Sequence, residues 1–384
     1  MVSTIKVLHV TTHDEECGIA KYQEQFLVGM KRIKGIKNAV FPYSPNRTKV
    51  MTPEEFAPVL QEFADQVADY DIVHFQHEFS FYSGNELNDM VSEARRQGKK
   101  VLITVHTSLD AGFPTFSLKD IRRVRTFLGK KRLSDRLTKT HVVPMKKADV
   151  VFVHNTVVEQ SLVEHGIAKR KIQKVTMPVP VVPFNLRTTI ITKNLNKKPG
   201  DVIYCTVGFL SETKGMKHAV RALKHLPANY KLAIIGGAHP SGANDGFIRE
   251  LDALVKEMKL TSRIYTTGYI KDDRKLNALI RECDICVYPY DKKYYAGVTS
   301  AALNNSLANF KPPIAYPTES IKEMNEVMPV VTLCETFEHQ ELAKKLQSID
   351  IEKQTRIVKE YAAKFSYDKE SAKFVETYHT ILSK

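Results

Sequence analysis

Short apolar runs and amphipathic stretches alternate along almost the whole chain. In the first half, residues 6–11, 72–75, 101–105 and 150–153 read as strands, and the apolar spacing over 19–31, 53–68 and 86–97 predicts helices. The second half repeats the layout, with strands expected at 202–207, 231–235, 263–266, 285–288, 313–316 and 330–333. A last helical pattern covers 369–382. This alternation implies an α/β fold with parallel sheets, organised as two Rossmann-like, doubly wound domains. Three prolines between Met177 and Pro183, followed by a polar tract ending at Asp201, mark a linker. The boundary is placed near residue 190, giving an N-terminal domain of 1–190 and a C-terminal domain of 191–384. The last helix is free to pack back on the N-terminal domain, and the two halves are expected to face each other across a central cleft.

Open parallel sheets bind ligands beyond the carboxyl ends of their strands, so the residues that follow each strand are the candidate site. In the first half these are the loop from Thr11 to Gly18, the segment His74-Phe-Gln-His77-Glu78, then His106, and His154-Asn155. Histidine recurs at every strand end, and at least one is expected to work on a ligand. In the second half the first strand leads into Gly208-Phe-Leu-Ser-Glu-Thr-Lys214-Gly215, which sets an amine just ahead of a helix without the order of a Walker loop. The next strand ends in Gly236-Gly237, where a backbone or a ligand can come close. Gly268-Tyr269-Ile270 follows the third and can offer a ring and main-chain groups to a flat base. The chain is organised around the stretch from Gly297 to Tyr316. Thr299 or Ser300 is the expected N-cap there, and Ala301, Ala302, Leu303, Leu307 and Ala308 fit a buried helix. A helix that opens past a strand end with small residues in its first turn presents free N–H groups and a positive dipole end, which together seat a phosphate.

Composition refines this picture in three ways. No segment approaches the roughly 18 uninterrupted apolar residues of a membrane span, and the N-terminus lacks a signal-peptide layout, so a cytoplasmic location is expected. Five cysteines in 384 residues make no disulfide framework, and Cys283-Asp-Ile-Cys286 stands at the entrance to a buried strand, where structural thiols are expected. Asp272-Asp273 sits at a predicted helix start as a cap, and no metal is expected to be required. The net charge of +14 is unevenly spread: between Lys119 and Lys147 stand eleven Lys or Arg against two Asp. Lys119, Arg122, Arg123, Arg125, Lys130, Lys131 and Arg132 interleave there with Leu118, Ile121, Val124, Phe127, Leu128 and Leu133. That pattern suits a helix lying on an anionic bilayer, an acidic polymer or a nucleic-acid backbone, DNA included.

These motifs together resemble the retaining, nucleotide-sugar-dependent glycosyltransferases of family 4, which have the two-Rossmann-domain GT-B fold. Gly18-Ile-Ala-Lys-Tyr22 is similar to the family's first glycine loop, and Gln76-His-Glu-Phe79 and Thr104-Val-His-Thr107 to strand-end motifs of one bacterial-type subgroup. Val207 to Gly215 resembles its diphosphate loop, and Thr299-Ser-Ala-Ala-Leu303 with Phe310-Lys-Pro-Pro-Ile-Ala315 its donor helix and following strand. The resemblance implies His106 beside the transferred sugar and Lys214 on the diphosphate, helped by main-chain donors from Ser300, Ala301, Ala302 and Leu303. It further implies Gly18, Gly208 and Gly237 at close approaches to ligand, and Tyr269 and Ile270 near the base. His77 and Glu78 would join the basic segment on the acceptor side.

Two departures stand out. The family's paired glutamates bracketing the donor helix are replaced by Gly297 and Asn305, and the lysine's arginine partner is absent around Phe209, Leu210 and Ser211. Asn305 can still hydrogen-bond a ribose hydroxyl. The function implied is transfer of a hexosyl or pentosyl group from a nucleoside diphosphate sugar co-substrate, with no cofactor required, to an anionic or membrane-associated acceptor. A nucleic-acid acceptor, or a non-catalytic nucleotide-sugar-binding role, is the alternative.

Overall fold

Two six-stranded sheets, parallel throughout, carry the predicted alternation. The structure, a computed structural model, describes residues 4–13, 15, 17–43, 51–111, 124–238 and 245–383. By its internal contacts the chain divides into Met1–Met177 with Tyr367–Lys384 (unit 1) and Pro178–Ser366 (unit 2). The division falls at the head of the proline-rich run, ahead of the position near residue 190 at which the sequence sets the boundary.

The unit 1 sheet contains β1 (Ile5–Thr11), β2 (Ile36–Pro42), β3 (Ile72–His77), β4 (Lys100–Val105), β5 (Val150–Val153) and β6 (Ile172–Lys174), in the order β2-β1-β3-β4-β5-β6. In unit 2, β7 (Val202–Val207), β8 (Tyr230–Ile235), β9 (Ile264–Thr266), β10 (Ile285–Tyr288), β11 (Pro313–Ala315) and β12 (Thr332–Leu333) are ordered β12-β11-β10-β7-β8-β9. Every predicted strand is present. The two the sequence did not reveal, β2 and β6, are edge strands with mixed exposure, so neither shows a continuous apolar run nor a clean alternation. Chain order reverses at β1, flanked by β2 and β3, and at β7, flanked by β8 and β10. Such switch points leave a crevice at the carboxyl edge of a sheet, the place where ligands enter this architecture.

Seven helices position the strand ends and the surfaces around them: α1 (Gly18–Met30), α2 (Pro53–Val67), α3 (Glu86–Arg96), α4 (Val124–Leu137), α5 (Met216–Lys224), α6 (Ala301–Ala308) and α7 (Tyr367–Leu382). The start of α2 is closed by a capping box, Thr52 with Glu55, behind which Pro53 supplies a preset φ. α7 belongs to unit 1. Its Phe374 meets Phe26 of α1 at 4.8 Å and Phe152 of β5 at 4.3 Å. The Tyr378 hydroxyl bonds Nδ1 of buried His74 at 2.9 Å, while the Nε2 of that ring meets Thr104 Oγ1 at 2.7 Å. Aromatic burial and a satisfied polar pair thus decide which domain the last helix joins.

Candidate functional site

The carboxyl edge of unit 2 is held together by backbone contacts that only glycine permits. After β7 the chain turns at Gly208 with φ +116°, and a side chain there would run into Nζ of Lys214, which lies directly against the turn. Gly215, with φ +66°, abuts the carbonyl of Pro289 so closely that any Cβ would overlap it. This contact fixes the loop after β7 on the loop after β10. The N–H of Asp291 donates to the carbonyl of Thr213 at 2.8 Å, and the hydroxyls of Tyr290 and Ser300 share a hydrogen bond of 2.6 Å. The loop that carries Lys214 is therefore tied to the loop after β10, and that loop in turn to the start of α6. Tyr290 carried no sequence signal for this role, since it reads as one aromatic among several.

Lys214 is half-buried, and no carboxylate among the described residues pairs with it. Glu212, two positions earlier, holds Lys217 instead at 2.9 Å. Desolvation alone pushes the Lys214 amine down to about 8. An amine removed from water and left without a counter-charge is suited to meet an anionic ligand. Beside it, Ser300 is the N-cap of α6, its Oγ accepting from the N–H of Leu303 at 3.1 Å. That bond removes Leu303 from the set of open donors. The N–H groups of Ala301 and Ala302 have no hydrogen bond among the described residues and remain at the positive end of the helix.

The remaining donor-side candidates separate by environment. A Cβ on Gly237 would overlap the amide nitrogen of Tyr269, so glycine is needed there for backbone packing. Tyr269 is 40% exposed and stacks at 5.6 Å on Phe209. Ile270 packs against the core, and Asn305 is half-buried with no side-chain hydrogen bond among the described residues. Asp272 caps the following helix by accepting from the N–H of Arg274 at 2.8 Å. Cys283 and Cys286 are fully buried, Cys286 lying 3.4 Å from Cys205 across the paired strands. Among the described residues, no group of three His, Cys, Asp or Glu is arranged to hold a metal ion.

The carboxyl edge of unit 1 sorts its histidines sharply. His106, just past β4, is half-buried; its Nε2 lies 2.8 Å from Gln76 Oε1, and its ring stands edge-on to Tyr22 at 4.9 Å. Burial first, and the nearby His154 second, hold its pKa well below the ordinary histidine range. The ring is therefore neutral at pH 7, with one nitrogen committed to Gln76. His154 is buried against the carbonyl of Val175. His77 was expected on the acceptor side, but it closes β3 with its side chain in the core, 3.1 Å from His141. Glu78 beside it remains half-buried, accepting from Thr107 Oγ1 at 2.6 Å and from the N–H of Phe79 at 3.0 Å. Burial raises its pKa against the pull of those two bonds. At Gly18 an added Cβ would meet nothing within 4 Å, so unit 1 by itself does not require glycine there.

The basic segment is only partly within the described residues. Lys119, Arg122 and Arg123 lie outside them, as do Leu118 and Ile121, and for Arg125 only the helical backbone is described. On α4, Lys130 is half-buried, Lys131 and Arg132 are exposed, and Leu133 is 43% exposed. Among the described residues no helix is long and apolar enough to cross a membrane.

Residues 188–365, nearly all of unit 2, match the profile of a family described as glycosyl transferases group 1. No curated protein matches the chain. Among solved structures, HepE from Anabaena in complex with UDP is 15% identical over 98% of this chain and 100% of its own, with a TM-score of 0.69. Sucrose-phosphate synthase from Thermosynechococcus elongatus is 17% identical over 99% of each chain, with a TM-score of 0.68. The apo form of the lipopolysaccharide outer core galactosyltransferase WaaB is 14% identical over 97% of this chain and 99% of its own, with a TM-score of 0.61. At such identities the likeness establishes the fold, and the family match falls on the unit that holds Lys214 and the start of α6. Residues 188–365 accordingly resemble group 1 glycosyl transferases, and the fold of the chain is that of these solved structures, GT-B.

Proposed function

We propose that the chain is a retaining glycosyltransferase that moves a hexosyl or pentosyl group from a nucleoside diphosphate sugar to an anionic acceptor. The observation that carries this reading is the desolvated amine of Lys214, paired with no carboxylate among the described residues, on a loop tied through the loop after β10 to a helix start whose first N–H groups are open. In the reaction the bond between the anomeric carbon and the diphosphate oxygen breaks, and charge grows on that oxygen. A fixed cation and two helix N–H donors aimed there lower the barrier without reorganising. The acceptor hydroxyl forms the new bond on the same face, and its proton passes to the departing diphosphate. Glu78 is raised in pKa by burial and tied to Thr107, so it is not assigned as a nucleophile. UDP is the first nucleotide to test, because HepE binds UDP and UDP-glucose.

His106, neutral and anchored by Gln76, supplies a hydrogen bond to a substrate hydroxyl. His106→Ala is expected to lower turnover about tenfold, the worth of one such bond, while donor affinity changes less than about twofold. Full turnover in that variant would remove the residue from the reaction. The stereochemistry is tested by incubating the chain with an α-linked UDP-sugar and reading the anomeric coupling of the product by NMR. An α product together with released UDP is expected. A β product would overturn retention, and no UDP release with any of a panel of nucleotide sugars and acidic acceptors would overturn the donor assignment.

A further inference from the structure

Unit 1 carries a cavity of about 590 Å³ between the starts of α2 and α3 and one face of α4 with the turn that follows it. Its size is that of a ligand site. One wall presents Arg132, Arg136 and Lys139, spaced four and three positions apart and so on one side of the helical run. None of these three side chains has a hydrogen bond or ion pair among the described residues, although Asp135 stands between them at pairing distance in sequence. By contrast, Lys217 pairs with both Glu212 and Glu250, and Arg96 with Glu93.

The opposite wall is polar but differently disposed. Glu86 is buried and spent on its own loop, accepting from the N–H of Gly84 at 2.7 Å and from the Ser83 hydroxyl at 3.3 Å. Asn85, at the N-cap position of α3, makes no side-chain capping bond. Asp89 is half-buried, and desolvation raises its pKa. Phe56 adds an apolar face to the lining.

We propose that this cavity is the acceptor site and that it takes an acidic saccharide, a sugar bearing a phosphate or a carboxylate. The proposal rests on the transferase reading above and narrows its acceptor. Guanidinium groups a turn apart along one wall match a phosphate or carboxylate with forked hydrogen bonds. The Asn85 amide and the carboxylates of Asp89 and Asp135 match ring hydroxyls, which both donate and accept. Phe56 covers the C–H face of a sugar ring. A simple anion would leave the carboxylates and the amide unused, and a neutral sugar would leave three cations that pair with no carboxylate of the lining without an anionic contact.

The test is calorimetric titration of the full chain with glucose 6-phosphate, glucuronate, glucose and inorganic phosphate in turn. The acidic sugars are expected to bind at least tenfold more tightly than either glucose or phosphate. In the double variant Arg132→Ala/Arg136→Ala that advantage is expected to fall at least tenfold, with the thermal midpoint unchanged. Stabilisation by UDP is measured on the same samples and is expected to persist in the variant. Equal binding of glucose or of phosphate alone, no saturable binding, or undiminished binding by the double variant would each overturn the proposal. UDP stabilisation retained alongside any of those results would sink the acceptor site only, whereas its absence from the unaltered chain would sink the transferase reading itself.

Discussion

Lys214→Ala is expected to weaken binding of a nucleoside diphosphate sugar by about 100-fold, without loss of fold. The magnitude is that of a charge-assisted contact in a desolvated site, about 2–3 kcal/mol. The effect on stability follows from the sign of the shift. The amine titrates at about 8 in the folded chain, below its ordinary 10.5, so the folded state disfavours the charged form. That penalty is present in full below pH 8 and fades between 8 and 10.5, so removing the amine leaves the thermal midpoint unchanged or raises it. Ligand binding reverses the balance, because a diphosphate favours the charged amine. Affinity should therefore be flat below pH 8 and fall by up to about tenfold per pH unit above it, a slope absent from Lys214→Ala. Calorimetry with UDP-glucose from about pH 6.5 to 9.5 reads both effects. A variant binding within about twofold of the parent would remove Lys214 from the donor site.

Acid is expected to unfold unit 1 well before carboxylate titration accounts for it. His9, His74, His77, His141 and His154 are all buried there, and every one has its pKa lowered, with burial the first cause. His9, His141 and His154 are pushed down to about 4. A histidine depressed in the folded state stabilises the fold fully above its unfolded value of about 6.5, and that stability drains as pH falls towards the folded value. Near pH 5 each such group makes the unfolded chain richer by about one proton. The three at about 4 alone then cost about 4 kcal/mol per pH unit, a large share of the roughly 5–15 kcal/mol that holds a typical domain. Urea denaturation followed by circular dichroism between about pH 7.5 and 4.5 should show stability falling from about 6.5 downward. Constant stability from about pH 7 to 5 would mean that these rings are solvated or paired differently from the contacts described.

The carboxyl edges of the two sheets do different jobs. In unit 2 the strained glycines Gly208 and Gly215 let backbone and amine crowd together, concentrating positive potential at one corner. In unit 1 the strand ends are occupied by buried rings that pack on one another. His74 is bonded at both nitrogens and His77 faces His141, so most of the histidine pattern serves packing. His106 is the ring past a strand end that is both anchored by a neighbour and only half-buried.

By itself the sequence determined the alternation of strands and helices, the parallel character of both sheets and the loops after β7 and β10. The physical reason is that central strands buried on both faces and helix caps such as Ser300 are written in local residue types. Local pattern also marked Lys214 and the α6 start, since chemistry at strand ends in this architecture follows directly from chain order. Only the tertiary structure decided that α7 returns to unit 1, that His77 points inward, and that Tyr290 links Ser300 to the Lys214 loop. Each of those depends on partners far away in the chain, on which side of a strand faces the core, or on two loops meeting in space. The edge strands β2 and β6 stayed hidden for a related reason: half-exposed at the margin of a sheet, they are defined by a neighbour's hydrogen bonds and not by their own composition.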